Sequence, residues 1–211
     1  MNMISGLRQS TVVLAAGVGL FLAASQAQAV IVWSGNVNLA IPATTNGLYL
    51  NVLTGANNLP GGTGGATVPG WDINPWGTPG LGFFNPTTPA GGVYVLSAAA
   101  TAANLAVGTS ISGASTFGAG STANVAQWTL NSSNNYFGFR FLNEGGGTVH
   151  YGWARLAFGA TVAERSLVSY AFESSPLTAI PAGVIPEPGT YALMGLGLAG
   201  LLFAVRRRKQ A

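Results

Sequence analysis

No cysteine, a single histidine and very few charges: these shortages bound what the 211-residue chain can do. Without cysteine there is no disulfide framework and no thiolate nucleophile, so stability has to come from burial. His150 and Asp72 are the lone histidine and the lone aspartate. They cannot complete a closed zinc shell, and a Ser-His-Asp triad would have to use these two with no G-x-S-x-G elbow beside them. Calcium is left with Asp72, Asn74 and carbonyls, which lack the acidic density of a calcium loop. The sequence therefore carries no catalytic constellation, no metal site and no cofactor motif, and a non-enzymatic protein is expected.

Charge is equally informative. Eight Lys and Arg stand against five Asp and Glu, net +3, but Arg8, Arg206, Arg207, Arg208 and Lys209 crowd the two ends. Between Val30 and Ile185, Arg140, Arg155 and Arg165 face Asp72, Glu144, Glu164 and Glu173, which leaves a net charge of −1. A phosphate-binding surface needs clustered cations, so nucleic acid is excluded as a partner. With so few charges, the surface must stay wet through Ser, Thr, Asn, Gln and backbone, and such a surface tends to associate.

What is present begins at the ends. Arg8 supplies a positive start, Val12 to Ala24 an apolar core, and Ala27-Gln28-Ala29 a small-x-small triplet, the pattern of a cleaved signal peptide over residues 1–29. Cleavage there starts the mature chain at Val30, and Ser25-Gln26-Ala27 is an alternative cut. At the other end, Pro186-Glu187-Pro188 precedes an uncharged run of 17 residues, Gly189 to Val205, and then Arg206-Arg207-Arg208-Lys209. As a helix the run reaches about 25 Å, just short of a hydrocarbon core of about 30 Å, so it spans if the arginines snorkel. The basic cluster stays on the cytoplasmic side and leaves the preceding chain outside. The prolines hold Glu187 extended, as an accessible peptide beside the membrane. Gly195, Gly197 and Gly200 spell G-x-G-x-x-G, but neither a strand nor an acidic residue accompanies them, so no dinucleotide site is expected.

Motif, span and basic stop together closely resemble the PEP-CTERM sorting signal. Pro186, Glu187 and Pro188 match its motif, Tyr191 to Val205 its span, and Arg206, Arg207, Arg208 and Lys209 its stop. The resemblance implies recognition by an exosortase, a membrane transpeptidase-like processing enzyme. With signal peptidase, that makes two processing partners and a transient inner-membrane anchor before the protein reaches the cell surface or the extracellular space. The stretches His150-Tyr151-Gly152-Trp153-Ala154-Arg155-Leu156 and Trp71-Asp72-Ile73-Asn74-Pro75-Trp76 look like those of exported proteins with the same tail, and imply no site.

Residues 30–180 read as one domain, followed by a linker at 181–185 and the sorting signal at 186–211. Period-2 patterns dominate, so the fold class expected is all-β, a jelly-roll-like β-sandwich ending in a β-meander. Val30 to Ile41 and Leu48 to Leu53 read as strands; Leu105 to Phe117 and Val125 to Leu130 read as weaker ones. Val93 to Ala103 fits either a strand or a short helix. Asn57 to Pro89 holds six of the eleven prolines, with Trp71, Trp76, Phe83 and Phe84 among them, and is expected as a long loop folding its rings onto the sheet.

In the meander, Phe137, Phe139 and Phe141 alternate with Gly138 and Arg140, then comes the loop Asn143 to Gly147, and Val168, Tyr170 and Phe172 mark a third strand. Placing every large ring on one side puts Phe141 opposite Val149, Phe139 opposite Tyr151, Phe137 opposite Trp153, and Arg140 opposite His150 on a solvent-facing surface. Asp72, Glu144, Glu164 and Glu173 are candidates for the two carboxylates of a glycosidase, but Glu144 lies in the hairpin loop and Glu164 beside Arg165 in another, and solvated loop charges are the better account of them.

Two functional expectations follow. One is a structural or interaction protein of the cell surface or extracellular matrix, associated with exopolysaccharide or biofilm. The other is a carbohydrate-binding module that stacks sugars on Trp71, Trp76 and Phe83 with Asn74 bonding hydroxyls. The bland competing account of those rings is that they cap the core.

Overall fold

The computed structural model describes residues 30–120 and 125–185. In chain order the strands are β1 (Ile31–Trp33), β2 (Leu39–Ala40), β3 (Asn74–Trp76), β4 (Gly82–Phe84), β5 (Tyr94–Val95), β6 (Ser110–Ile111), β7 (Phe117–Gly118), β8 (Ser132–Asn143), β9 (Thr148–Phe158), β10 (Arg165–Glu173) and β11 (Ile180–Pro181). Helix among the described residues is limited to two 3-10 turns, Gly65–Thr67 and Val125–Gln127. A seven-stranded antiparallel sheet runs β1-β10-β9-β8-β5-β7, with β2 also on β10. The pairs β3–β4 and β6–β11 lie apart from it.

The meander β8–β9–β10 is where the sequence placed it, but its register is shifted by one residue from the one expected. Phe141 pairs with His150, Phe139 with Gly152 and Phe137 with Ala154, while Arg140 pairs with Tyr151 and Gly138 with Trp153. The expectation failed because it assumed that one face meets water, whereas both are covered. Phe137, Phe139 and Phe141 enter one core with Leu156, Phe158, Leu167 and Phe172. Tyr136, Tyr151 and Trp153 enter a second, with Ile111, Ala171, Ile180 and Ala182.

Once both faces are buried, volume complementarity favours this register at its centre, where Phe137, Phe139 and Trp153 each meet a small cross-strand neighbour. Phe139 lies over Gly152, where a Cβ would sit 2.4 Å from its Cζ. On the opposite face Ile111 lies over Gly138, where a Cβ would meet its Cδ1 at 3.0 Å. A bulge between Leu167 and Ser169 turns the three-residue step from Leu167 to Tyr170 back onto one face.

The burial of both faces also corrects the reading of His150 and Glu173. His150 is buried, stacked on Phe141 with centroids 5.5 Å apart. Its Nδ1 donates to the Glu173 carbonyl (2.8 Å), and Nε2 lies 3.0 Å from the Thr148 hydroxyl. Glu173 is buried too, its carboxylate accepting the Ser175 N–H. Glu164 accepts the Ala160 N–H within its loop.

The three arginines of the domain act as clamps on backbone carbonyls. Arg140 donates to Gly92 and Ala90 and lies over the Phe117 ring at 4.6 Å. Arg155 reaches the Ser133 carbonyl, and Arg165 reaches those of Pro42, Gly77, Gly80 and Val162. Burial lowers the pKa of Arg165, and these carbonyls replace the lost water.

Other elements are shorter than expected. Leu48, Leu50 and Val52 keep their inward alternation, but Leu48–Leu53 forms only isolated bridges, from Leu50 to Asn57 and Ile73. Val93–Ala103 resolves into β5 plus a turn closed by the Leu96–Ala102 bridge. The strand expected at Val125–Leu130 is a 3-10 turn that delivers Trp128 to the core. The linker expected at 181–185 begins late, because Pro181 pairs with Ser110 and Ala182 is buried.

Candidate functional site

The long Gly- and Pro-rich stretch covers the first core and is ordered by turns and isolated backbone bonds, with asparagine side chains joining them. Asn58 accepts the Tyr49 N–H (3.0 Å) and donates to the carbonyls of Gly47 (3.1 Å) and Thr63 (2.7 Å). Asn51 donates to Gly70 (2.7 Å) and accepts the N–H groups of Leu53 and Thr54. Asparagine supplies donor and acceptor without the cost of burying a charge, so it can satisfy irregular backbone inside the fold.

The β3–β4 hairpin is held from beneath by Tyr94. Its buried hydroxyl accepts the Asn74 N–H (2.8 Å) and donates to the Phe84 carbonyl (2.9 Å). Burial raises the pKa of that phenol, so it remains a donor. Because β4 alternates, fixing the hairpin there sends Phe83 inward and Phe84 outward. Phe83 is 4% exposed and packs against Phe137 (4.9 Å), Tyr94 (5.1 Å) and Trp128 (5.8 Å). Phe84 is 51% exposed.

Around Phe84 the rings form a platform. Trp71 stacks loosely on it, with centroids 5.8 Å apart and planes 21° apart, and Tyr49 meets Trp71 edge-on at 4.9 Å. Trp71, Phe84, Asn85, Thr87, Thr88 and Glu144 line a groove of about 250 Å³. A shallower hollow of about 210 Å³ adjoins it, lined by Thr45, Tyr49, Trp76 and again Phe84. Both fall below the several hundred Å³ of a site that engulfs a small molecule, and suit a ligand that lays a face on the rings.

Glu144 enters from the β8–β9 hairpin loop, is exposed, and makes no hydrogen bond among the described residues. Beneath it, Asp72 is buried and accepts the Val52 N–H (2.8 Å). Burial is the main reason its carboxyl is pushed up to about 7; the Val52 bond opposes this and the charge of Glu144 adds to it.

The expected stacking residues thus divide. Trp71 lines the groove and Trp76 the neighbouring hollow, whereas Phe83 is core and Asn74, 1% exposed, donates to the Asn46 carbonyl and faces no ligand. Phe84, Tyr49 and Glu144 were not among the expected residues. Adjacent Phe83 and Phe84 in one strand could have signalled it, since one of the two must point outward. Asp72 and His150 have separate backbone partners, so no triad is assembled from them. Among the described residues no three His, Cys, Asp or Glu gather to hold a metal.

Ala27, Ala29, Pro186, Glu187, Pro188 and Arg206 to Lys209 lie outside the described residues. Among those described, no helix is long and apolar enough to cross a membrane. No curated protein and no solved structure matches the chain. Residues 184–209 match the family described as the PEP-CTERM protein-sorting motif, so this is a protein carrying that motif, which implies export, transient membrane anchoring and processing by an exosortase-type enzyme.

Proposed function

We propose that the domain is delivered outside the cell by processing at both ends and there binds extracellular polysaccharide as a non-enzymatic component of the matrix. The observation that carries this reading is the platform of Trp71 and the half-exposed Phe84 with Glu144 at its rim. Aromatic faces accept the C–H faces of sugars, and an unengaged carboxylate accepts sugar hydroxyls. Glu144 is the sole carboxylate in the lining, so the pair of carboxylates that glycoside hydrolysis requires is not assembled there. The scaffold reads as a jelly-roll-like sandwich whose outer layers are reduced to β3–β4 and β6–β11. Processing involves signal peptidase after Ala29 and an exosortase at Pro186-Glu187-Pro188.

The test is affinity gel electrophoresis in exopolysaccharide purified from the producing cells, with dextran as control. Wild-type protein is retarded, and Trp71→Ala and Phe84→Ala each weaken binding by about tenfold, equivalent to ~1.4 kcal/mol for a lost ring contact. Phe84→Ala keeps its thermal midpoint, because the ring is half in solvent. Undiminished retardation of both variants would remove the groove from the account.

A further inference from the structure

The tether between the folded domain and the membrane is short. Ala182 is fully buried, donating to the Thr109 carbonyl (2.9 Å) and accepting the Gly108 N–H (2.8 Å), so the chain is fastened as far as four positions before Pro186. The apolar run starts at Gly189, four residues beyond Ile185. The seven steps from Ala182 to Gly189 reach about 24 Å at full extension, less than the breadth of a domain whose radius of gyration is about 15 Å. The headgroup layer between water and hydrocarbon is itself about 5 to 8 Å thick. So short a leash holds the exit point and the surface around it nearer to the bilayer than the rest of the domain.

The surface around the exit point suits that position. Val107, 63% exposed, lies beside Gly183, and Val184 and Ile185 continue the exposed apolar patch. The two adjoining segments, Leu105 to Thr109 and Pro181 to Ile185, contain no charged residue. The patch packs beside Tyr136, near the start of β8. Glu144 and the aromatic groove lie past the far end of that strand, about 25 Å away at ~3.3 Å per residue.

We propose that, while the chain is anchored, the patch of Val107, Val184 and Ile185 rests in the interfacial layer of the bilayer and holds the domain with its groove pointing outward. The proposal rests on the reading of 189–205 as a membrane span. Its occupant is a lipid surface, because the tether brings one against this face. Release by cleavage at 186–188 then exposes the patch.

The absence of cysteine makes the test direct. Full-length chain carrying Val107→Cys or Leu177→Cys is labelled with a solvatochromic dye and reconstituted in phosphatidylethanolamine–phosphatidylglycerol vesicles. Leu177 is 69% exposed and bonded to Val149 beside the β8–β9 loop, so it reports the outer end. The label at 107 should emit to the blue and be quenched by spin-labelled lipid, while the label at 177 emits as in water. Flotation with the vesicles but water-like emission at both sites overturns the membrane contact and leaves the anchor intact. Failure to float overturns both. A second variant, Val107→Glu, should lose the lipid quenching of a dye placed by Ile185→Cys.

Discussion

Two halves of the domain solve the same problem by different means. The meander of residues 132–173 satisfies its backbone with ladders and, at its centre, matches Phe137, Phe139 and Trp153 to small neighbours across the strand. The stretch from 41 to 93, rich in glycine and proline, has a three-residue hairpin and isolated bridges at Leu50, and satisfies its backbone through turn bonds together with asparagine side chains. The meander is rigid by repetition and specifies the core; the irregular stretch is rigid by individual bonds and presents the groove. A surface-exposed Phe84 is available because no ladder had to continue past it.

Breaking the meander should cost most. Gly152→Val places a branched side chain where even a Cβ meets Phe139 at 2.4 Å and the Ala171 carbonyl at 2.7 Å, and should destabilise the domain by about 3 kcal/mol or more, read from the urea midpoint. A tolerated valine would mean that the register is not the one described. In the irregular half a single asparagine matters nearly as much. Asn58→Ala removes three hydrogen bonds, one of them buried, and should cost about 2 kcal/mol, with groove binding weakened as the turn around Tyr49 loosens.

A third effect distinguishes the two halves by pH. Burial raises the Asp72 carboxyl from its ordinary 3.8 to about 7, so the folded state holds a proton that the unfolded state releases. Stability from this group is therefore full below about pH 4, falls as pH rises towards 7, and is level above. Asp72→Asn keeps an acceptor for Val52 and should flatten that decline, seen by comparing urea midpoints of the two proteins across the same pH range. Parallel curves would show that Asp72 does not titrate in this window.

Legibility in the sequence followed the same division. The meander strands were readable because their alternation is local, as was the sorting tail, whose apolar run and basic stop need no tertiary partner. The register was not, because it depends on whether the second face meets water, and the segments that cover Tyr151 and Trp153 come from residues 105–118, which carry only a weak strand pattern, and from 180–182. His150 and Glu173 were misplaced by that same assumption. In the irregular half, the sequence indicated that rings fold inward but not which ones. The Tyr94 hydroxyl decides this by fixing the hairpin, a contact made across 10 and 20 residues.

The most direct test of the central claim is intact-mass spectrometry of the protein recovered from outside the producing cells. A chain beginning at Val30 and ending at or before Pro188, free of the basic stop, is the predicted result. Recovery of extracellular protein that still carries Arg206 to Lys209 would contradict it.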